Sequence, residues 1–178
     1  NIFRARSHIN AYVREYLLDN EFVEMQTPKL LAGSTEGGAE VFKLDYFGKE
    51  ATLAQSPQFY KQMLVGVFER VFEIGPAYRA ELSATTRHMT ELTMLDIEMG
   101  FIESHDEVLQ MIEGMVNHVV DSLWKDHEDI LKPLNSTKPK LTESFPRMTV
   151  AEVHELYTKA TGDDTTEERD LTPAEERW

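Results

Sequence analysis

The chain has 178 residues, a mass of 20.5 kDa and 41% hydrophobic residues, enough apolar material for a folded core. Its 32 acidic against 18 basic residues give a formal net charge of -14, which excludes an evenly spread nucleic-acid grip and leaves room only for a local basic groove. The absence of cysteine excludes disulfides and thiolate zinc sites. No apolar run reaches membrane-spanning length and no signal peptide opens the chain, so a soluble, cytoplasmic protein is expected.

Residues 2–18 carry apolar side chains at Ile2, Ala5, Ile9, Val13, Tyr16 and Leu17, which is helical spacing, and Asp19-Asn20 ends the helix. Residues 22–25 read as a short strand stopped by Pro28. Residues 30–40 are small and glycine-bearing and read as a loop. Residues 41–47 and 51–54 read as two strands of a hairpin joined near Gly48. Ser56-Pro57 starts a helix with serine as cap and proline in the first turn. Tyr60, Met63, Leu64, Val67 and Phe68 are expected to form its buried stripe.

Residues 70–74 read as a strand, and Gly75-Pro76 as a turn into a second strand over 78–81. Residues 92–101 read as the returning strand. Ser104 with Glu107 makes a capping box for a helix to about Asp126. Thr149 with Glu152 makes another for a helix to about Ala160. Residues 163–169 are charged and expected to be exposed or disordered. Successive strands with interspersed helices predict an α+β fold, a mainly antiparallel sheet flanked by helices.

Three groups of residues carry chemistry. Arg79 and Glu81, two apart in a strand, would share one face, followed by Arg87, His88, Glu91, Asp96 and Glu98. Arginine can clamp a phosphate in bidentate fashion, and a carboxylate can accept from an amine. A single Arg–Glu pair reads as a surface salt bridge, but the ordered set points to a site. The second group is Gln55-Ser56-Pro57-Gln58 with Lys61 and Gln62, at a helix start that favours an anion. The third is the segment over 34–40, where Gly37-Gly38 permits a hinge and Glu36 could close on an amine. The six histidines form no metal-ligand spacing, and neither a P-loop nor a Rossmann glycine fingerprint is present. A nucleotide would have to be held by side chains on a sheet.

In this order the motifs resemble those of the class II aminoacyl-tRNA synthetases. The helix, strand and Pro28 are similar to motif 1 (about 2–28), and residues 76–99 to motif 2. Glu36-Gly37-Gly38, in a flipping loop over 33–40, and Gln55-Ser56-Pro57-Gln58-Phe59-Tyr60-Lys61-Gln62 resemble the aspartyl members of archaeal and eukaryotic type. The resemblance implies attachment of aspartate to tRNA through aspartyl-adenylate, with ATP as substrate and Mg2+. It implies Arg79 on the α-phosphate and Glu81 on the adenine amine. Arg87 and His88 would lie near the outer phosphates, and Leu92 against adenine, where the family often has phenylalanine. Ser56, Gln58, Lys61, Arg79 and Asp96 would line the aspartate pocket, with Glu36 closing over it. Leu82, Ser83, Ala84, Thr85 and Thr86 would meet the acceptor end of tRNA.

The resemblance further implies a homodimer through residues 2–28. Residues 1–126 would be the front half of the catalytic domain, and 127–178 a connection, helix and acidic tail. Motif 3 and an anticodon-binding barrel are not found in the sequence. The chain therefore reads as part of a longer protein, inactive alone, with the Mg2+ ligands mostly elsewhere. An enzyme charging both aspartate and asparagine tRNAs, an asparaginyl enzyme, and a non-catalytic paralogue binding a small molecule or a partner are the alternatives.

Overall fold

Helix α1 (Ile2–Asp19) buries Ala5, Val13 and Leu17, the inner positions of its apolar stripe, while Ile2 and Phe3 are exposed. Arg14 Nε holds both carboxylate oxygens of Glu24 at 3.0 Å, which ties α1 to the strand that follows it. The computed structural model describes residues 1–33, 41–81, 89–142 and 144–178. They fall into two units, Asn1–Leu141 and Thr142–Trp178.

In the first unit, β1 (Val23–Glu24), β5 (Arg70–Tyr78) and β6 (Glu91–Met99) form one sheet in the order β1-β5-β6. β1 runs parallel to β5, and β5 runs antiparallel to β6 from Arg70↔Met99 to Tyr78↔Glu91. β2 (Leu30–Leu31), β3 (Lys43–Tyr46) and β4 (Lys49–Leu53) form a second, antiparallel sheet in the order β2-β4-β3. The β3–β4 turn places Phe47 at φ 52° and Gly48 at φ 74°, the two left-handed residues of a tight hairpin. Helix α2 (Gln58–Phe68) follows β4, and α3 (His105–Leu131) follows β6.

The core lies between one face of the β5–β6 pair and helices α1 and α3. Val13, Leu17, Phe22, Phe72 and Met115 are buried together, with Ile74, Ile97 and Met99 packed against them. Gly114 lets α1 approach α3 closely, because a Cβ there would overlap the Tyr16 hydroxyl. A second cluster joins Ala5 to Leu123, Ile130 and Leu131.

Several elements differ from the expectation. Gly75-Pro76 is not a turn: β5 runs through it to Tyr78. Pro76 is exposed and lies beyond the two residues paired with β1, where its missing N–H costs no ladder bond on that side. Arg79 and Glu81 therefore lie past the strand end rather than inside a strand. Arg79 N–H still donates to Thr90 O at 3.0 Å, but Glu81 N–H turns back to Arg79 O at 2.8 Å. Leu30–Leu31 is a strand, not the start of a loop, because it pairs with Leu53 and Thr52.

Helix α3 passes Asp126. It kinks at His127 (φ -138°), whose ring stacks on His8 at 3.5 Å, and then continues so that Ile130 and Leu131 reach the core. Pro57 stands at the cap position of α2 rather than in its first turn. The expected stripe of α2 is not buried: Met63, Val67 and Phe68 are exposed. Helical spacing marks an apolar face without specifying what covers it.

Both capping boxes form as expected, at α3 and at α4 (Val150–Thr161). In the second unit, residues 163–169 are mostly exposed, and the segment beyond them is held by Glu175. Its carboxylate accepts from His154 Nδ1 and Thr165 Oγ1, each at 2.6 Å, and from Thr172 N–H at 2.7 Å. Burial pushes the Glu175 carboxyl up, but the His154, Thr165 and Thr172 hydrogen bonds outweigh it and bring it down to about 2. A carboxyl lowered by folding contributes stability above its ordinary value of 4.5 and loses it as pH falls towards 2. Followed by the NMR signals of α4, the native second unit should therefore lose stability between pH 6 and 2, whereas Glu175→Gln should be less stable at pH 6 and lack that acid-side loss. Equal acid sensitivity of the two would contradict this role. Among the described residues, no helix is long and apolar enough to cross a membrane.

Candidate active site

The antiparallel register puts one set of residues on the sheet face opposite the core. Residues directly across an antiparallel pair share a face, as do residues two apart on one strand. Glu73 pairs with Asp96, Val71 with Glu98, and Ala77 with Leu92. Leu92, Asp96 and Glu98 therefore line one face, away from Phe72, Ile97 and Met99 in the core.

Helix α2 brings a cation to this face. Lys61 Nζ lies 2.6 Å from Asp96 Oδ1 and 3.1 Å from Glu98 Oε2. The Lys61 and Asp96 side chains are only 12% and 10% exposed, so this is a desolvated pair rather than a surface bridge. Burial alone would push the Lys61 ammonium down. The hydrogen bonds and charges of Asp96, and then of Glu98, outweigh it and hold the group above its ordinary value. Lys61 is thus a fixed cation with two carboxylates, a local charge of minus one that can take an ammonium beside it. Gln55 and Ser56 are buried at the head of α2, and Gln58 N–H donates to Ser56 Oγ at 3.2 Å.

Ser56, Gln58, Lys61 and Asp96 are thus gathered at one place, where β4 hands over to α2 beside β6. Leu92 shares the face of Asp96 four residues earlier on β6. Arg79 stands at the end of β5, and its Nε is buried without a hydrogen-bond partner among the described residues. Such an unpaired guanidinium nitrogen is costly unless an anion or water completes it. Glu81 follows where the chain turns back. Glu36, Arg87, His88, Leu82, Ser83, Ala84, Thr85 and Thr86 lie outside the described residues.

A groove of about 410 Å³ between β6 and α3 is lined by Leu95, Ile97, Met99, Met111 and Met115, with Asp96 the one charged residue at its wall. Its lining is mostly apolar, because Leu95, Ile97 and Met99 lie on the core side of β6, and it contains neither Lys61 nor Glu98. Glu98 joins the pocket residues expected from the sequence, and its spacing of two from Asp96 is the signal that puts both on one face. Glu73 is a further member that no motif marks, since a carboxylate inside an apolar strand carries none.

Residues 1–177 match the family model described as tRNA synthetases class II (D, K and N). The chain belongs to the class II tRNA synthetases. Among its relatives in this family is an aspartate–tRNA(Asp/Asn) ligase of Methanopyrus kandleri, 43% identical over 159 residues, which are 89% of this chain and 37% of that protein. An aspartate–tRNA(Asp) ligase of Pyrococcus abyssi is 43% identical over 157 residues, 88% of this chain and 36% of that one. The chain therefore spans little more than a third of these class II proteins. Among solved structures, asparaginyl-tRNA synthetase from Pyrococcus horikoshii complexed with asparaginyl-adenylate aligns with a TM-score of 0.88 at 30% identity, covering 99% of this chain and 41% of that one. The α+β arrangement is thus part of a class II synthetase core.

Proposed function

We propose that this chain supplies the amino-acid pocket and one wall of the ATP site of an aspartate–tRNA ligase. The observation that carries the reading is Lys61, a desolvated cation held at 2.6 Å from Asp96 at the head of α2. Aspartate offers a side-chain carboxylate to Lys61, and an α-ammonium to Asp96 and Gln58, with Ser56 lining the pocket. Its α-carboxylate then attacks the α-phosphorus of ATP. The new bond joins a carboxylate oxygen to phosphorus, the bond to the bridging oxygen breaks, and pyrophosphate leaves. The aspartyl group passes from the adenylate to a hydroxyl of the terminal adenosine of tRNA, releasing AMP.

Arg79 meets the α-phosphate, where charge builds during attack, and its unpaired Nε supports that role. Glu81 takes the adenine amine and Leu92 covers the ring. Arg87 and His88 face the outer phosphates, Glu36 closes over the amino acid, and residues 82–86 meet the acceptor end. Catalysis is positioning and electrostatics, without a covalent enzyme intermediate. When bound, Mg2+ neutralises phosphate charge. Among the described residues no group of three or more histidine, aspartate or glutamate side chains is placed around a common point. The family reading also includes a homodimer through residues 2–28 and a cytoplasmic location.

An asparaginyl enzyme is the second reading, and the likeness to the Pyrococcus horikoshii structure favours it. Lys61 weighs against it, because an amide gains less than a carboxylate from a buried cation. Thermal unfolding with ATP present decides between them. Aspartate at ten times its Kd should stabilise the chain by about 1.4 kcal/mol, and asparagine should leave the transition in place. Stabilisation by asparagine alone, or by neither, would overturn the aspartate reading.

A further inference from the structure

We propose that Glu73 is a positioning residue for the amino-acid pocket, locking together the three segments that meet there. This rests on the reading of the Lys61–Asp96 pair as that pocket. Glu73 is 4% exposed, yet it sits in a strand whose neighbours are apolar. A buried carboxylate in such a place is costly unless its oxygens are filled. They are filled from one short segment. Oε1 accepts from Thr27 N–H at 2.9 Å, and Oε2 accepts from Thr27 Oγ1 and Lys29 Nζ, each at 2.8 Å. Lys29 Nζ also donates to Thr27 Oγ1 at 3.0 Å, closing the cluster.

The cluster leads to the pocket by two routes. Across the sheet, Glu73 lies directly opposite Asp96 on the same face. Like charges so placed repel each other. Lys29 neutralises Glu73 as Lys61 neutralises Asp96, so each carboxylate keeps its own cation and Glu73 does not draw on Lys61. Along the backbone, Lys29 O accepts from Ala54 N–H at 2.9 Å, and Ala54 O accepts from Tyr78 N–H at 2.9 Å. Ala54 leads straight into Gln55, Ser56 and helix α2, which carries Lys61. Tyr78 leads straight into Arg79. Fixing Thr27 and Lys29 on Glu73 therefore sets both ends of the site, the cation for the side-chain carboxylate and the cation at the strand end.

Amide hydrogen exchange on the 178-residue chain tests this with Glu73→Gln, which keeps the shape and removes the charge. Exchange at Thr27, Ala54 and Tyr78 should accelerate by about tenfold, the loss of one charge-assisted hydrogen bond. The other protected amides of the β5–β6 ladder and of α1 should keep their native rates. Unchanged exchange at those three amides would overturn the proposal, and so would uniform acceleration everywhere, which is global destabilisation. If Glu73→Gln does not fold, Thr27→Val is read in the same way, since it removes one hydroxyl partner and leaves the charge pair. A parallel NMR titration with L-aspartate should show binding weakened several-fold in the variant. Absence of any response in the native chain would sink the aspartate reading alone, because the exchange pattern still decides the role of Glu73.

Discussion

Lys61→Met should both destabilise the chain and abolish its response to aspartate. Removing the ammonium leaves Asp96 and Glu98 on one strand face with no counter-charge, and Asp96 is nearly desolvated. Breaking one partner out of a mostly buried pair costs about 2–3 kcal/mol once the partial exposure of Glu98 is discounted. Urea unfolding followed by circular dichroism measures that cost. Lys61→Met with Asp96→Leu should recover part of it, because the second change removes the stranded charge. The pH dependence carries the opposite sign from that of Glu175. Folding raises the Lys61 ammonium above its ordinary value of 10.5, so its contribution is complete below that value and is lost as pH rises through the folded one. That alkaline-side loss should be absent in Lys61→Met. A variant as stable as the native chain, or one that still responds to aspartate, would contradict the place given to Lys61.

Phe72→Ala should be the most damaging single change in the first unit. Phe72 is fully buried, and it joins Val13 and Leu17 of α1, Phe22, and Met115 of α3. Truncating such a ring removes about 4 kcal/mol through lost transfer and an unfilled cavity. That is a large part of the 5–15 kcal/mol roughly available to a domain. A midpoint shift in urea with an unchanged slope is expected. The site should weaken with it, since Phe72 precedes Glu73 on β5 and a cavity there loosens the strand that holds Met25 N–H, at 2.8 Å from Phe72 O, two residues before Thr27. A loss under about 1 kcal/mol, typical of an exposed position, would mean that this is not the centre of the core.

Much of the architecture was legible because it is written in local chemistry. The α1 stripe, the two capping boxes and the hairpin around Gly48 each depend on residues within one or two turns of each other. The grouping of Ser56, Gln58 and Lys61 was legible for the same reason: one helix start presents them together. Gly75-Pro76 misled because both residues mark turns in isolation. Whether Pro76 can remain in a strand depends on which edge lies beside it, and β1 ends before reaching it. Helix α3 was cut short at a polar run because the value of Ile130 and Leu131 lies in Ala5, over a hundred residues away.

The sequence by itself determined the family, through an ordered set of motifs spread along residues 2–98, and the identity of the charged groups brought to the site. Only the tertiary structure decided which of those charges meet. Lys61 and Asp96 are thirty-five residues apart, and it is the β5–β6 register, with α2 laid beside it, that closes them to 2.6 Å. The same register put Glu73 opposite Asp96 and gave that buried carboxylate its partners in Thr27 and Lys29. The physical reason is that side-chain type is encoded locally, whereas strand register is set by burying Phe72 and Ile97 on the far face against Leu17 of α1, and a slip of one residue would turn Asp96 into the core.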